Sequence, residues 1–260
     1  MSQILSIHSY RGGTGKSNMS ANLAYLAARS GQRVALLDTD VASPGVHLVL
    51  GLEKNRITHT LTDFLFGRCD LEEAAYDMGA SLGLDANGAG ALFLLPSSMN
   101  IEAISKVVAD GYDVSRLNSQ FDALKKSLGL DLLVIDSHPG LNRETMLTTA
   151  VSDTLLIVIR PDRQDYHGTA VMLQVASRLQ VPRVFMLANK VPRRLDRNAV
   201  RERIQSVMGY EMLAALPLEE EMACLGSEAL FVQRFPDHAL SLQIREVAER
   251  LFSGEGGQPL

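Results

Sequence analysis

A glycine-rich segment near the start of the chain has the residue types of a phosphate-binding loop. The sequence from Tyr10 to Ser17 reads YRGGTGKS and lies between an apolar run and a helical pattern. Glycines let backbone N–H groups turn inward around an anion, and the start of a helix adds a positive dipole end. A lysine and a hydroxyl suit the outer phosphates and a Mg²⁺ ion. We therefore predict cofactor contacts by Gly12, Gly13, Thr14, Gly15, Lys16, Ser17 and Asn18.

Three aspartates follow apolar runs that read as strands, and their carboxylates suit a metal ion and a water molecule. Asp38 and Asp40 close one such run, and Asp136 closes a later one. Because parallel strands bring their carboxyl ends to one edge of a sheet, these side chains would lie beside the phosphate loop. The structural alternative for a single aspartate at such a place is a turn or a helix cap. We predict metal contacts at Ser17 and Asp136.

The elements that must position these residues alternate along the whole chain. Apolar runs predict strands at 4–9, 33–38, 92–95, 131–136, 153–159, 183–188 and 212–216. Helical spacing predicts helices near 15–30, 60–66, 70–76, 100–110, 113–128, 166–180, 196–208, 219–225 and 238–252. Continuously apolar strands need cover on both faces. The prediction is a single-domain α/β fold with a mostly parallel sheet of about seven to eight strands and helices on both faces.

No linker or internal repeat divides the sequence. We expect one domain over residues 1–252 and a flexible tail over residues 253–260, which read SGEGGQPL. Residues 79–90 are polar and rich in glycine, and they suggest a loop at the tip of a hairpin.

Composition excludes several classes of protein. Hydrophobic residues make up 46% and charged residues 21%, which is typical of a globular chain and not of a disordered one. The net charge of −5 does not indicate a globally basic nucleic-acid protein. The two cysteines, Cys69 and Cys224, lie far apart and form no metal-ligand spacing. The sequence has no secretory signal pattern and no apolar run long enough for a membrane span, so we expect a cytoplasmic protein.

A second short motif concerns the choice of base. Asn189, Lys190, Val191 and Pro192 follow a predicted strand, where a GTPase would carry an aspartate in the last position. Proline cannot accept hydrogen bonds from guanine, whereas the amide of Asn189 can bond to an adenine edge. This motif favours ATP over GTP as the cofactor.

The phosphate loop resembles that of one family. RGGTGKS is similar to the deviant phosphate loop of the MinD/ParA family of P-loop ATPases. The segments LDTD at 37–40 and VIDSHPG at 134–140 match two further motifs of that family, in the same order. The family's signature lysine is replaced by Arg11, which keeps the positive charge and adds a planar fork suited to phosphate.

The resemblance implies an ATPase with slow, Mg²⁺-dependent hydrolysis that dimerises with ATP and positions or partitions intracellular cargo. Asp40 would orient the attacking water, and Asp38 would join Ser17 and Asp136 at the metal site. Lys16 would contact phosphates, and Arg11 would reach the phosphates of a partner subunit. Pro217 would close the adenine pocket. A cargo adaptor or an activating protein would be a further partner. Two alternatives stay open: a catalytically weak regulator that binds ATP, and a synthetase that phosphorylates a carboxylate on the same fold.

The segment from 183 to 203 holds seven basic and two acidic residues. Members of the ParA type bind DNA nonspecifically through basic residues, so Arg193, Arg194, Arg197 and Arg201 are candidate DNA contacts, which would place the protein at the nucleoid. A solvated helix face is the alternative. The last helical pattern, from 245 to 252, lacks the cationic excess of a membrane-binding helix. His138 and the loop at 160–165 receive no firm role.

Overall fold

The computed structural model describes residues 2–84, 90–110 and 114–259. Within these residues, eight strands form one sheet in the spatial order β3-β4-β2-β5-β1-β6-β7-β8. The strands are β1 (Gln3–His8), β2 (Arg33–Asp38), β3 (Tyr76–Asp77), β4 (Ala91–Leu95), β5 (Leu132–Asp136), β6 (Thr154–Ile159), β7 (Arg183–Val191) and β8 (Glu211–Pro217). Neighbouring strands run parallel except for β3 and β4.

Eleven α-helices connect and cover these strands in the described part of the chain. They are α1 (Lys16–Arg29), α2 (Val46–Val49), α3 (Leu61–Leu65), α4 (Ile101–Asp110), α5 (Val114–Ser127), α6 (Arg143–Ala150), α7 (Arg163–Arg178), α8 (Arg197–Met208), α9 (Glu220–Cys224), α10 (Phe231–Arg234) and α11 (Ala239–Phe252). Two short 3₁₀ helices lie at Lys54–Arg56 and Glu72–Ala74.

The helices form a layer on each face of the sheet. On one face, α1 and α11 pack together over strand residues such as Val134 and Leu156. On the other face, α3, α4 and α5 cover one half of the sheet, and α7 and α8 cover the other half. Both faces of the strands are therefore buried, which explains why their sequences are continuously apolar. The predicted fold class is confirmed.

The strand order brings the chemistry-bearing residues to one edge. β1 lies between β5 and β6, and β5 lies between β1 and β2. In these pairings Asp136 is the register partner of both Ile7 and Asp38. The phosphate loop after β1 and the aspartates at the ends of β2 and β5 therefore meet at the carboxyl edge of the sheet, as expected for this topology.

Several local predictions were wrong. α6 has no counterpart in the predicted helices, because its start is set by a polar capping box between Asn142 and Thr145 rather than by an apolar stripe. α7 begins at Arg163 rather than near 166, since the Asp162 side chain caps it, so half of the predicted 160–165 loop is helical. The helix predicted at 70–76 is a 3₁₀ turn followed by β3.

The strand β3 pairs antiparallel with β4, so these two strands form a hairpin, as the sequence suggested. Part of the loop predicted for 79–90 lies outside the described residues, namely 85–89. The segment after α11 runs back to the sheet, where Val184 N–H donates to the carbonyl of Gly257 at 2.8 Å. Arg183 Nη2 donates to the carbonyl of Glu255, also at 2.8 Å. No helix in the described part of the chain is long and apolar enough to cross a membrane.

Candidate nucleotide-binding and hydrolysis site

The phosphate loop joins β1 to α1 through residues 9–15. Gly13 and Gly15 adopt φ angles of 78° and 93°, which side chains with a Cβ rarely allow. A Cβ on Gly15 would lie 2.5 Å from Nδ2 of Asn189, so this position also needs glycine for space. No side chain caps the start of α1, and its first turn holds no acidic residue. The helix N-terminus is therefore available to an anion.

Lys16 and Asp136 form a buried ion pair beside this loop. Lys16 Nζ lies 2.9 Å from Oδ1 of Asp136, and both side chains are almost wholly inaccessible. The Ser20 hydroxyl donates to the same carboxylate oxygen at 2.8 Å. The sequence analysis missed Ser20, although it stands four residues after Lys16 and so on the same side of α1. The pair holds the lysine at the edge where the phosphates would lie.

The carboxylates of Asp38 and Asp136 stand at paired positions on neighbouring strands. Asp136 Oδ2 is buried and has no hydrogen-bond partner in the described structure. Asp38 accepts backbone N–H bonds from Gly45 and Asp40, at 3.1 and 3.2 Å. Burial, and then the neighbouring charge of Asp136, raise the pKa of Asp38 to about 7. Ser17 is half-buried in the first turn of α1, and its hydroxyl and the two carboxylates are oxygen ligands of the type that Mg²⁺ prefers.

Asp40 lies beyond the end of β2 and is bound by two groups. Its Oδ1 accepts from Ser43 N–H at 3.2 Å and lies 2.7 Å from Nδ1 of His138. This hydrogen bond is the main cause that raises the pKa of His138 above its usual value. The structure therefore gives His138 a contact that its position in the sequence did not reveal.

Arg11 points toward the start of α7 rather than into the loop. Its Nη1 lies 3.7 Å from Oδ1 of Asp162 and 3.8 Å from Oδ1 of Asp165. The Arg11 side chain is 40% exposed, while Asp165 is buried. A half-exposed guanidinium at this edge can change partners at low cost. Its predicted contact with a second subunit stays a prediction.

A cavity of about 250 Å³ adjoins the loop on the side of β8. Its lining includes the predicted residues Asn18, Asn189 and Pro217, together with Glu219 and Ser227, which the sequence did not single out. Asn18 Nδ2 donates to the Ser227 hydroxyl at 3.0 Å, while its Oδ1 is buried without a partner in the described structure. The size and the mixed lining suit a planar base.

Asn189 and Lys190 clamp the phosphate loop from the side of this cavity. Asn189 Nδ2 donates to the carbonyl of Thr14, and Lys190 Nζ donates to the carbonyl of Gly13, both at 2.8 Å. The Asn189 Oδ1 accepts from the N–H of Lys190. The amide is thus already engaged on both sides, and its predicted bond to an adenine edge stays a prediction.

Three of the four candidate DNA contacts are held by other groups of the chain, and the partner of Arg193 belongs to the cavity lining. Arg193 pairs with Glu219 at 2.8 Å, and Arg201 Nε donates to the carbonyl of Met212 at 2.9 Å. Arg197 Nη1 donates to Gln243 at 3.0 Å. Arg194 is exposed and has no ion pair with any described residue.

The sequence matches a known family model and a related protein. The family model described as an AAA domain matches residues 2–184. A Chlorella vulgaris protein provisionally named septum site-determining protein MinD is 31% identical over 226 residues, covering 84% of this chain and 72% of the relative.

The chain belongs to the MinD/ParA family of P-loop ATPases.

Solved structures of MinD proteins share the fold over almost the whole length of this chain. The septum site-determining protein MinD of Pyrococcus horikoshii OT3, solved with Mg-ADP, has a TM-score of 0.78 at 23% identity. The alignment covers 98% of this chain and 98% of that one. The Aquifex aeolicus MinC:MinD complex gives a TM-score of 0.76 at 21% identity, covering 100% of this chain and 98% of the matched one. The MinD/ParA resemblance of the sequence is confirmed.

Proposed function

We propose that this MinD/ParA-family chain binds Mg-ATP, dimerises in the ATP state and hydrolyses ATP slowly, as a switch that positions intracellular cargo. The observation that carries the proposal is the convergence of Lys16, Asp38, Asp40 and Asp136 beside an open helix N-terminus. Phosphate binding would use the loop N–H groups and Lys16. The solved relative with Mg-ADP supports the choice of cofactor.

The metal would be held by Ser17, Asp38 and Asp136. Oδ2 of Asp136 is buried and unpartnered in the described structure, and burial beside Asp136 disfavours the ionised form of Asp38, which raises its pKa. A divalent cation would stabilise both carboxylates in their ionised form. Mg²⁺ would neutralise charge on the phosphate oxygens while the γ-phosphoryl group is transferred to water. The chain's own part is to fix the phosphates and to orient a water through Asp40.

Dimerisation would follow from the γ-phosphate. A ligand shifts an equilibrium only through contacts that differ between the two states. Arg11 is half-exposed at the edge of the phosphate loop and would supply such a contact to a second subunit. Loss of the γ-phosphate would then return the protein to the monomer. A partner protein would bind the dimer. The MinD protein of Aquifex aeolicus has been solved in a complex with such a protein, MinC.

The test is the mass of purified Asp40→Ala protein, measured by light scattering with Mg-ATP and with Mg-ADP. Without the carboxylate that orients water, the variant should bind ATP and hydrolyse it barely at all, so the dimer should persist with ATP alone. Asp122→Ala, on the exposed face of α5, is the matched control and should cycle as the wild type does.

A monomer in both nucleotides, with ATP binding verified by calorimetry, would refute the dimer switch. It would favour the weak regulator instead. Phosphorylation of a carboxylate substrate at the expense of ATP would favour the synthetase.

A further inference from the structure

The loop that follows β5 contains a histidine for which the proposed function has no use. His138 Nδ1 lies 2.7 Å from Oδ1 of Asp40, the carboxylate proposed to orient the attacking water. Because an ionised carboxylate can only accept, the imidazole donates its Nδ1–H in this bond. The His138 side chain is 31% exposed, so it lies at the mouth of the site rather than in the core.

The backbone on either side of His138 is fixed to β1 and the phosphate loop. Ser137 N–H and its hydroxyl both donate to the carbonyl of Ile7, at 3.2 and 2.9 Å. Gly140 N–H donates to the carbonyl of Ser9 at 3.0 Å. Only His138 and Pro139 lie between these anchors. The imidazole is therefore carried by a short segment whose ends cannot move independently of the phosphate loop.

The contacts of Asp40 are unequal on its two oxygens. Oδ1 receives both the imidazole of His138 and the N–H of Ser43. No described residue donates a hydrogen bond to Oδ2. Two donors on one oxygen fix the rotation of a carboxylate and leave the other oxygen to solvent.

We propose that His138 is a positioning residue for ATP hydrolysis: its Nδ1–H holds Oδ1 of Asp40, so that Oδ2 stays free to orient the attacking water. The proposal rests on the proposed function, because it assigns no reaction of its own. His138 acts through Asp40 and touches neither nucleotide nor metal in this scheme. Preorganisation of this kind affects the turnover rate more than substrate binding, since the water is aligned only for the chemical step.

Three substitutions distinguish this positioning role from a purely structural contact between the loops that carry His138 and Asp40. In His138→Asn the side-chain amide nitrogen is two bonds from Cβ, as Nδ1 is, so it can donate to Asp40. In His138→Gln the amide nitrogen is one bond farther out, like Nε2, and misses that position. His138→Ala removes the donor altogether. The Asn and Gln variants have the same functional group and differ only in where it lies.

The experiment measures kcat and KM for Mg-ATP in the wild type and the three variants, with thermal unfolding as a check on folding. The loss of one positioning hydrogen bond predicts a fall in kcat of about tenfold for Ala and Gln, with KM within about twofold of the wild type. The Asn variant should keep kcat within about threefold of the wild type. In an Asp40→Ala background, His138→Ala should have no further effect on the residual rate.

Other outcomes overturn the positioning role. They are an unchanged kcat in His138→Ala, a rise in KM without a fall in kcat, or an Asn variant as slow as the Gln variant. A histidine ¹⁵N NMR spectrum gives an independent check: the shifted Nδ1–H signal of His138 should disappear in Asp40→Leu. A wild type without turnover would remove the proposed function itself, whereas a wild type that hydrolyses ATP alongside unaffected variants would remove only the role of His138.

Discussion

The nucleotide edge of the sheet and the basic segment at 183–203 use charge in opposite ways. At the edge, Lys16, Asp38 and Asp136 are buried, and each lies within reach of another. In the basic segment, Arg193 and Arg201 are exposed, and each contacts a partner of its own. Arg193 pairs with Glu219, and Arg201 donates to the carbonyl of Met212.

The two regions differ in how well proximity along the chain predicts contact in the fold. The edge residues come from the ends of β2 and β5 and from the start of α1, yet the parallel topology brings them together, and burial makes their pairing costly to break. The arginines are close in sequence, but each long side chain finds its own neighbour in water. A cluster of charges along the chain is thus a weaker sign of a site than strand ends that converge.

The largest effect is expected from removing the lysine of the edge. Lys16→Ala takes away the cation proposed to contact the phosphates, and it leaves the carboxylates of Asp136 and Asp38 without a nearby positive charge. We expect ATP turnover to fall at least about 100-fold, as for the loss of an electrostatic contact in a preorganised site. A malachite-green phosphate assay measures it, with the exposed Lys126→Ala as control. Turnover within a few-fold of the wild type would place the phosphate site elsewhere.

An effect of intermediate size is expected for the pH dependence of the free energy of unfolding. It tests whether water is excluded from this edge of the sheet. Burial, and then the charge of Lys16, lower the pKa of His8 to about 3, while the unfolded chain has the ordinary value of 6.5. The unfolded state therefore binds a proton more readily between these values. The free energy of unfolding should fall as the pH drops from about 6.5 toward 3.

Urea titrations at several pH values measure this slope. His8→Asn keeps an acceptor for the Ser9 N–H, which now donates to Nδ1 of His8 at 2.7 Å, and removes the titrating ring. Its unfolding free energy should depend less on pH over the same range. An identical slope in both proteins would mean that His8 is hydrated and that the edge is not dry.

The smallest effect is expected in the basic segment. Arg201→Ala loses the hydrogen bond to the Met212 carbonyl and should lower the unfolding free energy by about 1 kcal/mol. Arg194→Ala, at an exposed side chain, should change it by less than about 0.5 kcal/mol. DNA binding is measured separately, by fluorescence anisotropy at several salt concentrations. If this segment binds DNA, Arg194→Ala should reduce the salt dependence of the affinity. Equal decreases in the free energy of unfolding for Arg201→Ala and Arg194→Ala would mean that the hydrogen bond of Arg201 adds no measurable stability.

The main features of the fold and of the site could be predicted because they depend on regular patterns. Apolar runs of strand length, each followed by a helix, define a parallel sheet, and the edge positions of Asp38 and Asp136 follow from it. The partners of these residues could not be predicted. Ser20, His138 and Lys190 act through side chains whose directions depend on packing, and their types are common in ordinary loops and helices.

Local elements escaped prediction where polar contacts define them. α6 begins at a capping box between Asn142 and Thr145 rather than at an apolar stripe, and β3 is only a two-residue edge strand. The backbone contacts of Gly257 after α11 follow no apolar pattern at all, because they join main-chain groups. Such features depend on tertiary neighbours rather than on local propensity.

The position of β1 between β5 and β6 has a consequence for synthesis. Lys16 is synthesised before its partner Asp136, and the two can meet only after 120 further residues have been added. At roughly 5–20 residues per second, the phosphate loop waits on the order of ten seconds for the carboxylate that completes it. During that interval β1 lacks both of its neighbours in the sheet, β5 and β6. A nascent chain of this protein is therefore expected to expose the apolar residues of β1 until β6 has left the ribosome.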